Sequence, residues 1–122
     1  MILVDTSIWV DHLRRGDEKL AALLNDGLVL LHCFVIGELA LGNLPRRKQV
    51  LDSLQDLPLA NQASDAEVFD FINRHALPGL GIGYVDAHLL AAARLNGVRL
   101  WTRDKRLREA AIKLGLAYGE GV

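Results

Sequence analysis

The residues in this chain best suited to chemistry are four carboxylates far apart in sequence, Asp5, Glu38, Asp86 and Asp104. If they converge, mutual repulsion raises their pKa values and strains the fold unless cations fill the site. Hard oxygen donors of this kind favour Mg²⁺ or Mn²⁺. Such ions activate a water, stabilise charge on a phosphoryl group in transit and neutralise a leaving oxygen, which is the logic of metal-assisted phosphodiester hydrolysis. The hydroxyls of Thr6, Ser7 and Thr102 stand close in sequence to two of these acids and can orient a ligand carboxylate or a bound water. Glu38 is the odd member. It lies in an apolar helical stretch, Phe34 to Leu41, with no basic residue within a helical turn, so its charge calls for a partner from elsewhere or for a metal ion.

Short apolar runs alternating with helical patterns must position these groups. Ile2 to Val4 reads as a strand ending at Asp5, and Thr6 or Ser7 is placed to cap a helix running through Leu13. Asp17 opens a second helix with Leu20, Leu23 and Leu24 on one face, Gly27 stops it, and Leu28 to Leu31 is a buried-strand candidate. A third helix carries Glu38. Arg46 to Leu57 repeats apolar residues at helical spacing until Pro58. Ser64 and Glu67 have capping-box spacing, which opens a helix with Val68, Phe69 and Ile72 expected on its inner side. After a loop from Pro78 to Gly83, Val85 to Asn96 is helical with Asp86 in its first turn, where backbone amides tolerate negative charge. Val98 to Thr102 then reads as a strand, Asp104 to Leu114 as the last helix, and Leu116 to Tyr118 as an edge strand. Helices between short apolar strands imply an α/β fold with a mostly parallel sheet. In such sheets the functional crevice lies beyond the carboxyl ends of the strands, where Asp5 and Asp104 fall.

Size and composition set bounds. With 122 residues, half of them apolar, and no repeat or linker-like tract, the chain reads as a single domain over residues 1–122. The longest apolar stretch, Leu28 to Ile36, is interrupted by His32 and is far shorter than the roughly 18 residues of a membrane span. The first residues carry no basic cluster of the secretory kind, so a cytoplasmic protein is expected. A net charge of −1 and a pI near 6.4 provide no global field for polyanions, so any nucleic-acid contact must be local. Local basic groups are Arg14-Arg15, Arg46-Arg47-Lys48, and Arg103, Lys105, Arg106 and Arg108; the last group adjoins Asp104 and is the best placed for phosphate. The lone Cys33 is expected as a small buried hydrophobe, and the four histidines share no zinc-ligand spacing. Gly79, Gly81 and Gly83 lack the strand and register of a nucleotide loop. Asp11, Asp17 and Asp65 read as cap or surface charges. His88, two positions from Asp86, points to a different face and reads as structural. Trp9, Leu13 and the Leu41 to Leu44 region supply apolar surface for a partner or for the core.

Taken in order, Val4-Asp5-Thr6-Ser7, Gly37-Glu38-Leu39, Val85-Asp86-Ala87-His88-Leu89-Leu90-Ala91 and Trp101-Thr102-Arg103-Asp104 resemble the PIN-domain family, and more narrowly its VapC toxins, over essentially the whole chain. The resemblance implies a three-layer PIN-like fold, with a short, mostly parallel central sheet flanked by about seven helices. It also implies an endoribonuclease dependent on Mg²⁺, with Mn²⁺ as substitute. Asp5, Glu38, Asp86 and Asp104 match the family's acidic positions, and supporting roles fall to Thr6 or Ser7 and to Thr102. It further implies a homodimer, an RNA substrate and a cognate VapB-type antitoxin that wraps the toxin. Two rivals use an aspartate after a first strand. An aspartate-nucleophile phosphatase needs a second acid two residues on, where this chain has Ser7. A phosphoacceptor signalling domain needs paired acids after its first strand and a phosphoacceptor aspartate ending a central strand, and the sequence has neither.

Overall fold

The computed structural model describes residues 1–119. Three short strands, β1 (Ile2–Val4), β2 (Val29–Leu30) and β3 (Arg99–Trp101), form a parallel sheet in the order β2-β1-β3. Parallel neighbours need crossovers, and these are supplied by the seven helices found among the described residues. The helices are α1 (Thr6–Arg15), α2 (Glu18–Asn25), α3 (Cys33–Leu41), α4 (Arg47–Leu54), α5 (Asp65–Arg74), α6 (Tyr84–Asn96) and α7 (Lys105–Lys113). Single parallel bridges, Leu31 with Leu59 and Leu100 with Ala117, widen the sheet at each edge. The expected edge strand at Leu116 to Tyr118 is therefore one bridge, held by the Leu100 amide on the Leu116 carbonyl and the Tyr118 amide on the Leu100 carbonyl.

The sheet is largely buried, which is why β1 and β2 read as unbroken apolar runs and β3 departs from one only at the exposed Arg99 that opens it. Leu3, Val4 and Leu100 are essentially inaccessible, as are Ile8, Leu20, Leu39, Leu89 and Leu107 from the helices packed around them. Burying each such side chain stabilises the fold by about 1.5–3 kcal/mol. α6 is buried nearly all round from Ala87 to Ala93, making it the central helix, and Gly97 ends it in the left-handed region at φ 64°. No helix among the described residues is long and apolar enough to cross a membrane.

Several local expectations need correction. α1 is capped by neither Thr6 nor Ser7, because Asp5 itself occupies the cap position, which frees both hydroxyls for other bonds. α4 stops at Leu54, three residues short of the Leu57 that periodicity suggested, and the chain then reaches Leu59 beside β2. Phe69 faces outward at 58% exposure, and Phe71 takes the buried place on α5. Cys33 is exposed and donates to the Gln62 side chain, since it falls on the outer face of the first turn of α3. Trp9, by contrast, is core at 2% exposure.

Candidate active site at the carboxyl edge of the sheet

Because all three strands run the same way, the residues that follow them emerge at one edge. Asp5 leaves β1 with its amide bonded to the Trp101 carbonyl, so the ends of β1 and β3 are tied together at that point. Thr102 follows β3, and Asp104 caps α7 by accepting the Leu107 amide. β2 leads through His32, whose Nδ1 accepts the Phe34 amide and caps α3, into the helix that carries Glu38. Asp86 sits in the first turn of α6 and accepts the Gly83 amide at 3.0 Å.

Hydroxyls tie Asp5 to the Asp104 backbone and, in a separate bond, tether Glu38. Thr102 Oγ1 donates to Asp5 Oδ2 at 2.6 Å and accepts the Asp104 amide at 3.1 Å. Ser7 Oγ donates to the same Asp5 oxygen at 2.9 Å and accepts the Arg103 amide. Thr6 Oγ1 donates to Glu38 Oε1 at 2.6 Å. All three hydroxyls singled out from the sequence are therefore bonded to candidate acids. Asp5 is buried at 6% exposure, and its two hydroxyl donors replace the water it has lost. Glu38 departs from expectation, because it is exposed rather than sunk in an apolar helix face. The apolar residues around it in sequence turn inward at Val35 and Leu39 and leave the glutamate on the outer face of α3, within reach of Thr6.

Asp86 reports on the cluster as a whole. Its carboxyl is raised above the usual range, first by burial and then by the charges of Asp5, Asp104 and Glu38, against the opposing effect of the Gly83 amide. The four carboxylates therefore share one electrostatic neighbourhood. Their donor set, all hard oxygen, fits Mg²⁺ or Mn²⁺ chemically. Among the described residues, though, no three acid, histidine or cysteine side chains are already drawn together tightly enough to hold an ion. A bound cation would therefore have to pull these carboxylates inward against their present hydroxyl and amide bonds.

The basic residues near Asp104 divide into groups. Arg103 donates from Nη1 to Asp11 at 2.7 Å and from Nη2 to Asp17, and stacks over Trp101 with its guanidinium 5.6 Å from the ring centre. Those bonds hold both aspartates below the ordinary carboxylate range. Arg103 is thus a clamp between the end of β3 and the α1–α2 turn, and Asp11 and Asp17 are its partners rather than plain surface charges. Asp17 also caps α2 as anticipated. Lys105 and Arg106 are exposed, and Arg106 lies against Gly81, which at φ 78° leaves room for the guanidinium where a Cβ would collide with it. The arginine 103 clamp went unseen in the sequence, where nothing relates position 103 to positions 11 and 17. His88 does point away from Asp86, into the interior, as its spacing suggested.

The three-strand parallel sheet with an acidic cluster beyond its carboxyl ends defines a PIN-type nuclease fold, and the PIN domain family model matches residues 2–113; the chain belongs to that family. It is 47% identical to Ribonuclease VapC32 of Mycobacterium tuberculosis, in strains CDC 1551 / Oshkosh and ATCC 25618 / H37Rv, over all of this chain and 99% of the relative. Among solved structures it resembles FitAcB from Neisseria gonorrhoeae at a TM-score of 0.63 and 23% identity, covering 92% of this chain and 94% of that one. It resembles equally FitAB bound to an IR36 DNA fragment, at 0.63 and 20% identity, covering 92% and 91%. At these identities the two structures speak for the fold.

Proposed function

We propose that this chain is a divalent-cation-dependent endoribonuclease of the VapC type, the toxin half of a toxin–antitoxin pair, with Asp5, Glu38, Asp86 and Asp104 as its catalytic and metal-holding residues. The observation that carries this reading is the gathering of the four acids beyond the strand ends, where Asp86 is raised first by burial and then by the charges of the other three. Uncompensated negative charge gathered at a cleft is a poor structural device and a good cation site. The 47% identity to a relative named as a ribonuclease over full length supports RNA as the substrate class. When bound, Mg²⁺ or Mn²⁺ supplies an activated water and neutralises charge on the phosphate.

The chain's own residues do the rest. Thr102 and Ser7 hold the Asp5 carboxylate through the same oxygen, Oδ2. Thr6 orients Glu38, and the Gly83 amide fixes one oxygen of Asp86. Lys105 and Arg106, exposed beside Asp104, are placed to meet backbone phosphates, with Arg108 on the same helix. The antitoxin partner is supported by a groove of about 570 Å³ between α1, α2 and α4, walled by Leu13, Leu24, Val50, Leu54 and Leu57. Trp9, 2% exposed, forms part of the floor of that groove. Leu41, 91% exposed, and Phe69 are apolar surface suited to a homodimer contact.

Incubating purified protein with assorted RNAs tests the reading. Cleavage in Mg²⁺ or Mn²⁺, lost with chelator and in Asp5→Asn and Asp86→Asn, is the expected result. Cleavage that survives chelation, or in both variants, overturns the site assignment. A phosphorylated Asp5 without RNA cleavage would favour the phosphatase reading instead.

A further inference from the structure

The two residues flanking Asp86 at a spacing of two converge on a fifth acid that the reaction does not use. Asp65, the first residue of α5, accepts the Tyr84 hydroxyl at 2.6 Å and lies 3.2 Å from His88 Nε2, both on its Oδ1. Tyr84 opens α6 and His88 closes the same first turn, so a single carboxylate oxygen pins both ends of the turn that carries Asp86. We propose that Asp65 is a positioning residue that fixes the first turn of α6 and through it the Asp86 carboxylate. This rests on the reading of Asp86 as part of the nuclease site.

Three features make the contact more than a surface hydrogen bond. The His88 ring is 1% exposed, and an imidazole buried so deeply needs a partner for its N–H, which Asp65 provides from α5. The ring then packs edge-on against Tyr84 at 4.7 Å and against Phe34 at 4.7 Å. Phe34 lies in the first turn of α3, the helix that presents Glu38, so the line Asp65, His88, Phe34 ties the helices of two site acids together. With Nε2 donating to Asp65, His88 Nδ1 is left as an acceptor without a partner. The imidazole therefore depends on its one polar contact for orientation.

The Ser64–Glu67 capping box holds α5 independently, so removing the Asp65 side chain is not expected to unfold that helix. Asparagine at position 65 retains a carbonyl oxygen that can accept from both Tyr84 and His88, whereas alanine cannot. Charge loss at the start of α5 is common to both substitutions, so a difference between them isolates the hydrogen bonds.

The experiment compares full-length wild type, Asp65→Ala, Asp65→Asn, Tyr84→Phe and Asp86→Asn by three readouts: Mn²⁺ affinity by calorimetry, amide exchange at Ala87, and RNA cleavage. The Ala87 amide donates to the Gly83 carbonyl, so its exchange reports the turn directly. In Asp65→Ala we expect Mn²⁺ affinity and kcat to fall about tenfold, the size typical of losing an outer partner of a ligand, with KM for RNA unchanged. Exchange at Ala87 should speed up in the same variant. Asp65→Asn should restore all three, and Tyr84→Phe should fall between. Wild-type affinity and exchange in Asp65→Ala, or an Asp65→Asn as impaired as Asp65→Ala, overturns the role. If Asp86→Asn keeps full activity, the site reading and the positioning role fall together; if it is dead while Asp65→Ala is intact, only the positioning role falls.

Discussion

Replacing Thr102 with valine should both destabilise the protein and disable it, because one buried hydroxyl serves two site acids. Thr102 is 4% exposed, donates to Asp5 at 2.6 Å and accepts the Asp104 amide at 3.1 Å. Valine has the same shape, so no cavity complicates the result. The loss of a buried, charge-assisted bond costs about 2 kcal/mol. The orphaned Asp104 amide costs less than a full desolvation penalty, since Asp104 is exposed and water can reach it. The extra buried methyl offsets that smaller part, leaving about 2 kcal/mol in total. For a domain of this size, 1 kcal/mol shifts Tm by roughly 4 °C, so the variant should melt about 8 °C lower. Thermal melts in chelator supply this number, and cleavage assays in Mn²⁺ should show a loss of about tenfold as Asp5 keeps only the Ser7 hydroxyl of its two donors. Thr102→Ser, which keeps the oxygen, should recover most of both. A valine variant that melts within about 2 °C of wild type and cleaves as fast would show that Thr102 does not hold Asp5.

Three further outcomes follow from the electrostatics. Asp86→Asn in chelator should raise Tm: the folded carboxyl titrates above its unfolded value, so above that range the charged form disfavours the fold, and asparagine can still accept the Gly83 amide. A lower Tm by calorimetry would mean that the cluster is already compensated. His32 is fully buried with its pKa lowered to about 4, by burial first and then by His88. The unfolded state therefore binds the extra proton first, and stability should be lost as pH falls from about 6.5 towards 4, by up to about 3 kcal/mol. In His32→Asn, whose side chain can still cap α3, urea melts should show that part of the slope removed. Finally, Arg106→Ala should weaken RNA binding and flatten its salt dependence, whereas Arg103→Ala should lower Tm through Asp11 and Asp17 and leave the salt slope unchanged. Equal effects on the slope would return Arg103 to the RNA surface.

Much of this architecture was legible because the strands and caps are local signals. The run Ile2 to Val4, the Ser64–Glu67 box, Asp17 as a cap and Gly97 as a stop each carry their own physical reason, and the structure keeps all four. Phe69 and Cys33 were misplaced because periodicity fixes only relative faces, and in α5 the buried stripe passes through Val68 and Phe71. Glu38 was singled out for the wrong reason. Its apolar neighbours suggested burial, yet those residues point inward from a helix whose outer face is free to present the acid to Thr6.

The site was readable to the extent that carboxylates following strands must gather at one edge of a parallel sheet. The hydroxyl network was anticipated only as proximity in sequence. The particular pairings, Thr6 to Glu38 across 32 residues and Thr102 to Asp5 across 97, depend on tertiary packing that no local pattern encodes. The same holds for the Arg103 clamp and for the contact of Asp65 with Tyr84 and His88. In each of these, a polar group finds its partner through the order of strands in the sheet rather than through spacing along the chain.

The central claim is that four separated carboxylates act as one divalent-cation site. Calorimetric titration of Mn²⁺ into wild type and into Asp5→Asn, Glu38→Gln, Asp86→Asn and Asp104→Asn tests it most directly. Saturable binding by wild type, weakened in every one of the four variants while Asp52→Asn, whose carboxylate pairs with Lys48 on α4, binds normally, is the result predicted. No saturable binding by wild type, or undiminished binding in all four variants, would contradict it.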